Sequence, residues 1–253
     1  MLRHTLSGAI FAFIAVSCAQ ASSISLTNDF SLTNGNPNGQ WAYLVGATLG
    51  TATPLSFEIP QQNGNAVIPA VADGYWSTGN NLNTNTPDFA KALVDGSDAG
   101  ETDEDFLAGD IIGHSPNQSG TALWLTWTAP SAGTISGLDF DIWYAHSAAG
   151  ARSNFFELLD DDTTLVSGTV SSTSFYNRDN ADSYSNVGGF SVAQGDTITI
   201  GIAKSAGEQF GSLDGMALDF TFTSSAPEPS SIFLVCSGLA MLCYFRRRSY
   251  SRV

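Results

Sequence analysis

The side chains in this sequence best suited to chemistry are carboxylates, and they cluster. Residues 95–110 read DGSDAGETDEDFLAGD, which gathers Asp95, Asp98, Glu101, Asp103, Glu104, Asp105 and Asp110. Hard cations such as calcium take several oxygen ligands, so Asp98, Asp103 and Asp105 are candidate calcium ligands. The D-x-[DN]-x-[DN]-G spacing is missing, and a solvated acidic loop is the simpler expectation. A second pair, Asp139 and Asp141, sits two residues apart in SGLDFDIWYA. Paired carboxylates can run glycoside hydrolysis, but outward acids on a half-exposed strand are ordinary. His114 and His146 stand without a metal-type partner, and the G-x-S-x-G pattern is missing. Neither a zinc site nor a Ser-His-Asp triad is expected, and no catalytic residue is assigned. Aromatic rings offer a different chemistry, because Trp and Tyr stack on the apolar faces of sugars while acids bond the hydroxyls. Tyr75, Trp76, Asp139, Asp141 and Trp143 are therefore candidate ligand-binding residues. The competing expectation for such large rings is burial under loops.

Strands must position these residues. In TALWLTWTAPSAG, Leu123, Leu125 and Trp127 share one face, and Pro130 to Gly133 make a turn. In SGLDFDIWYA, Leu138, Phe140, Ile142 and Tyr144 face one way, with Asp139, Asp141 and Trp143 opposite. GDTITIGIA aligns Ile198, Ile200 and Ile202, and DGMALDFTFT aligns Met216, Leu218, Phe220 and Phe222. Side chains alternate across a strand, so each run has one apolar and one polar side. NFFELLDDDTTLVSGTV reads as a hairpin turning at Asp160-Asp161-Asp162, where Asp side chains bond nearby backbone groups. These runs predict an all-β antiparallel β-sandwich with Trp127 and Phe220 as core anchors; a single curled barrel is the alternative. The first half predicts short strands at Trp41–Val45, Leu55–Ile59 and Ala66–Ile68, joined by long surface loops.

Charge divides the chain into three. Residues 22–225 hold 23 acids and only Lys91, Arg152, Arg178 and Lys204 as bases, a net charge of −19. Such a surface repels phosphate backbones, so nucleic acid is excluded as a partner. All three cysteines, Cys18, Cys236 and Cys243, lie outside this stretch, so the body has no disulfide or thiolate metal site. Residues 1–21 read as a secretory signal peptide: Arg3, an apolar run from Leu6 to Cys18, then Ala19 and Ala21 as small recognition residues with cleavage before Ser22. A lipidated Cys18 is the rival reading. Residues 226–253 hold Ile232 to Phe245, 14 residues without a charge. A helix of that length rises ~21 Å, short of a ~30 Å hydrocarbon core, although flanking arginines can snorkel. A single short transmembrane helix with the arginines cytoplasmic is expected, and an ordinary tail anchor is the alternative.

Pro227-Glu228-Pro229, the apolar segment with Gly238 and the cluster Arg246, Arg247 and Arg248 together resemble the PEP-CTERM sorting signal of exported bacterial proteins. NPNGQWAY, TALWLTWTAPSAGTISG and VAQGDTITIGI resemble pieces of exported PEP-CTERM proteins whose body is a jelly roll like carbohydrate-binding modules. The resemblance implies a Gram-negative-type envelope, with signal peptidase and a membrane-embedded exosortase as partners. It also implies a transient stay in the cytoplasmic membrane, then the cell surface or an extracellular matrix rich in exopolysaccharide. The expected function is a non-catalytic binding or structural module, with no cofactor unless calcium occupies the acidic loop. A glycan-active hydrolase and a self-associating surface protein are the alternatives.

Overall fold

The computed structural model describes residues 19–58, 74–78, 87–96, 105–146, 152–175 and 177–225. Residues 21–224 make one compact unit. Pro227, Glu228, Pro229, Arg246, Arg247, Arg248, Asp98, Asp103 and the strand expected at Ala66–Ile68 fall outside the described residues, as does most of the signal segment. No helix among the described residues is long and apolar enough to cross a membrane.

The strands run β1 (Ala21–Ser25), β2 (Trp41–Gly46), β3 (Thr53–Pro54), β4 (Ser56–Glu58) and β5 (Tyr75–Ser77). Next come β6 (Asp88–Lys91), β7 (Ile111–His114), β8 (Ala122–Thr128), β9 (Gly133–Tyr144) and β10 (Ser153–Asp160). The rest are β11 (Thr163–Ser171), β12 (Asp182–Tyr184), β13 (Phe190–Val192), β14 (Thr197–Lys204) and β15 (Leu213–Ser224). They form two antiparallel sheets. The first has the order β12-β9-β15-β7-β6-β5-β4, with β13 also on β9 and β1 also on β15. The second has the order β11-β10-β14-β8-β2-β3.

The alternation read from the sequence builds the core. Leu123, Leu125 and Trp127 on β8, and Ile198, Ile200 and Ile202 on β14, enter one apolar cluster. Phe140 and Ile142 on β9 and Met216, Leu218, Phe220 and Phe222 on β15 enter it from the other sheet. Trp127 meets Phe220 edge-on, with ring centres 5.0 Å apart. On β9, Gly137 and Leu138 face a single residue of β15, and the register shifts there. Gly137 adopts a φ of 58°, a left-handed conformation that a glycine takes without strain, so the bulge keeps the apolar residues facing inward on both sides of it.

The first half corrects the expectation of loops decorating a finished sandwich. β5, β6 and β7 extend the first sheet, and Trp76, Phe89 and Ile111 reach the shared core. Three or four residues are too few to display a period of two, which is why these strands were illegible. The hairpin at the aspartates is as expected: β10 pairs with β11, and Asp160 faces Thr163 across the turn.

A buried polar cluster closes one end of the unit. The Ser115 hydroxyl donates to Asn154 Oδ1 at 2.6 Å, and Asn154 Nδ2 donates to Asp214 Oδ2 at 2.7 Å and to the Ser212 carbonyl at 3.1 Å. Asp214 Oδ1 has no hydrogen-bond partner. Burial, only partly offset by the Asn154 bond, pushes the Asp214 carboxyl well above the usual carboxylate range. Asp88, buried on the first sheet beside His114, is raised for the same reason, despite accepting the His114 backbone N–H. Burial lowers the His114 imidazole to about 4.

The signs differ. A raised carboxyl contributes stability that is complete below its unfolded value and is lost as pH rises toward its folded value, at up to about 1.4 kcal/mol per pH unit. The lowered His114 contributes stability above its unfolded value that is lost as pH falls toward 4. Asp214→Asn therefore has a shallower loss of unfolding free energy than the parent chain as pH rises above the ordinary carboxylate value. Urea titrations at several pH values measure this, and parallel curves for the two chains would contradict the assignment.

Candidate functional site

The outer face of the second sheet carries an open groove of about 500 Å³. Strand phase explains its residues. If Leu123, Leu125 and Trp127 face the core, Ala122, Trp124 and Thr126 must face outward. If Phe156 and Leu158 face the core, Phe155 and Glu157 face outward. Register then sets the rows. Glu157 lies opposite Gly201, and Gly201 opposite Trp124. Phe155 lies opposite Ala203 on β14.

Small residues make the floor. A side chain at Gly201 would collide with the Trp124 ring, so the missing Cβ is what lets that ring lie across the strand. The Trp124 indole N–H donates to the Gly46 carbonyl at 3.1 Å, and the residue is 6% exposed. Phe155 is 41% exposed, a large ring standing at the surface over small neighbours. Glu157 lines the groove, and burial raises its carboxyl above the ordinary glutamate value. Ser119, Gly120 and Thr121 line it too, as do Ser205, Ala206 and Gly207. The Lys204 ammonium donates to the Glu208 carbonyl at 2.9 Å, which folds this second loop back. The buried Ser205 hydroxyl has no hydrogen-bond partner. The groove thus offers aromatic surface, one carboxyl group and hydroxyls, a set that suits a polyol with apolar faces.

The residues singled out from sequence lie elsewhere. Tyr75, Trp76 and Trp143 are buried, which corrects their assignment as stacking platforms. Trp76 stacks on Tyr43 with ring centres 5.6 Å apart and donates to the Ser31 carbonyl at 3.0 Å. Trp143 donates to the Asp105 carbonyl at 2.7 Å, and the Arg178 guanidinium lies 5.8 Å from its ring centre. With Tyr75, Trp143 belongs to an apolar cluster outside the main core. No ring face is left for a sugar. Asp139 is exposed and accepts the Asn186 N–H at 2.9 Å, while Asp141 is half-buried on the same face. Neither lies near the groove.

The acidic loop is structural where it is described. Asp105 accepts the Arg178 N–H at 2.9 Å, and Asp95 accepts the Ala108 N–H at 2.8 Å. Asp110 accepts the Leu107 N–H at 2.8 Å and pairs with Arg178 at 3.3 Å. Among the described residues, no group of three His, Cys, Asp or Glu side chains is placed to hold a metal. At the other end, Ala19, Ala21 and Ser22 are exposed, and Ala21 and Ser22 open β1, opposite Thr223 and Phe222.

Trp124, Phe155 and Glu157 were missed, although the signal was present. Adjacent aromatics in NFF, and a tryptophan out of phase with its neighbours in LWLTW, each force one ring outward.

No protein-family model matches the chain, and no curated protein does. Among solved structures, a cyclase from Fischerella sp. TAU aligns over 82% of this chain and 100% of its own, at 15% identity and a TM-score of 0.26. The apo form of a cyclase from Fischerella sp. aligns over 77% of this chain and 86% of its own, at 15% identity and a TM-score of 0.23. Likenesses this low carry neither fold nor chemistry across.

Gly201→Ala should displace the Trp124 ring and lower stability by about 1–3 kcal/mol in chemical denaturation. Gly50→Ala, where an added methyl meets nothing within 4 Å, is the control and should be near neutral. Equal midpoints for the two variants would contradict the seating of Trp124.

Proposed function

We propose that this chain is an exported envelope or matrix protein whose body is a non-catalytic jelly-roll module, holding a glycan in the groove on the outer face of the second sheet. One observation carries the binding reading: the exposed Phe155 ring stands in a groove with Trp124 and Glu157. A sugar ring lying on Phe155 would bring its hydroxyls toward the Glu157 carboxyl. Binding is favoured over hydrolysis because Glu157 is the single carboxylate lining the groove among the described residues. Cleavage of a glycosidic bond takes two acids, about 5–9.5 Å apart.

Export and sorting rest on the chain ends. The signal segment, the Pro227-Glu228-Pro229 motif and the arginine cluster support delivery through the membrane and capture by an exosortase. The acidic, cysteine-free body suits an environment rich in neutral or cation-bridged polysaccharide.

Calorimetry or affinity electrophoresis against the native exopolysaccharide tests the groove, with and without calcium. Phe155→Ala should weaken binding roughly three- to tenfold, the range expected for one stacked ring, without changing stability. No binding by the parent chain, or an unaltered affinity in the variant, would remove the proposal. Sorting has its own test. Replacing Arg246, Arg247 and Arg248 by alanine should leave unprocessed chain in the membrane fraction of the native host, and undiminished mature protein outside the cell would contradict it.

A further inference from the structure

We propose that the glycan held in the groove carries a free amine, and that the Glu157 carboxylate holds its ammonium; this rests on the groove reading above and names the class of ligand. Glu157 stands on the outer face of β10, two residues from the exposed Phe155. Two residues along a strand span about 7 Å, so one sugar ring on Phe155 brings a substituent to the carboxyl. Among the described residues the Glu157 carboxylate makes no hydrogen bond and no ion pair. Asp95, Asp105, Asp110 and Asp161 differ, because each is already bonded to a backbone N–H. Burial raises the Glu157 carboxyl, and no neighbouring charge offsets it. A carboxylate that has lost water and gained no partner within the chain favours a cation as its ligand.

The basic residue of the groove does not answer it. Lys204 pairs with Asn154, which faces inward, so strand phase turns its side chain away from that of Phe155. The Lys204 ammonium donates to the Glu208 carbonyl at 2.9 Å and to the Gln209 carbonyl at 3.3 Å. An indole stands beside the carboxylate instead. A Cβ added at Gly201 would lie 2.5 Å from Trp124 Cζ3 and 3.2 Å from Glu157 Cγ, so ring and acid flank the same glycine. Carboxylate and aromatic ring together suit an ammonium, one through charge and the other through its π face.

Charge sorts the glycans in the same direction. Residues 22–225 carry a net charge of −19, which repels polymers of uronic acid or phosphate. A neutral sugar can enter the groove but leaves Glu157 without a counter-charge. A protonated amino sugar is drawn in by the body, neutralises the carboxylate and still offers a flat apolar face to Phe155. A lysine side chain offers the ammonium without that face.

Calorimetry of the full chain with a glucosamine trimer and with its N-acetylated counterpart tests this, at low salt and at a pH between the Glu157 and amine midpoints. The amine form should bind roughly tenfold tighter, the gain expected for one charge-assisted hydrogen bond. Glu157→Gln should bring the two affinities to within about twofold, chiefly by weakening the amine form. Asp219→Asn removes the same charge from an exposed position on the first sheet, and should change neither affinity. Equal binding of the two trimers by the parent chain overturns the proposal without recourse to any variant. Equal losses in Glu157→Gln and Asp219→Asn also overturn it, since they would reflect attraction to an acidic surface at large. Tri-lysine bound as tightly as the glucosamine trimer would overturn it in favour of a basic peptide. The groove reading is separable: an acetylated trimer that binds as tightly as the amine form, and is weakened by Phe155→Ala, leaves that reading standing, whereas binding of neither trimer refutes both.

Discussion

Trp127 wedged between the sheets is the contact on which the rest depends. Its ring stands edge-on to Phe220 at 5.0 Å and to Phe222 at 5.4 Å, with 1% of the residue exposed. Full burial of one large apolar side chain contributes about 1.5–3 kcal/mol, so this ring is a substantial part of a typical domain stability. Without cysteines between residues 22 and 225, no covalent link shares the load. The inward phase of β8 follows from Trp127, and the outward phase of Ala122, Trp124 and Thr126 follows from the same choice. The groove is therefore a geometric consequence of the core.

Each outer face repeats one local device with a different outcome. On the first sheet the Trp143 ring lies over Gly215, and on the second the Trp124 ring lies over Gly201. In both places the glycine makes room for a ring to lie across its own strand. The difference lies in what comes over the top. The loop around Asp105 accepts the Trp143 N–H and brings Phe106 into the apolar cluster, while Arg178 covers the ring. Over Trp124 the described residues supply short loops at the groove rim, and the neighbouring Phe155 stays exposed.

That contrast explains what the sequence could and could not reveal. The long strands β8, β9, β14 and β15 were legible because seven to twelve residues display several periods of alternation. β5 and β6 were not, because Trp76 and Phe89 acquire their inward direction from strands already in place. The ring choice failed for a related reason. Polar neighbours in sequence surround Tyr75, Trp76 and Trp143, but a ring is covered by residues distant in sequence, such as Ser31 over Trp76 and Asp105 over Trp143. Strand phase, which needs only adjacent residues, would have identified Trp124 and Phe155.

Several of the acids share a pattern that composition conceals. Asp29 accepts the Ser25 N–H, Asp161 the Thr197 N–H and Asp196 the Ala193 N–H, alongside the bonds already described for Asp95, Asp105, Asp110 and Asp139. A carboxylate that bonds a backbone N–H fixes a turn without a cationic partner, and four bases could not pair with so many acids. The negative surface is thus partly a by-product of how the turns are built.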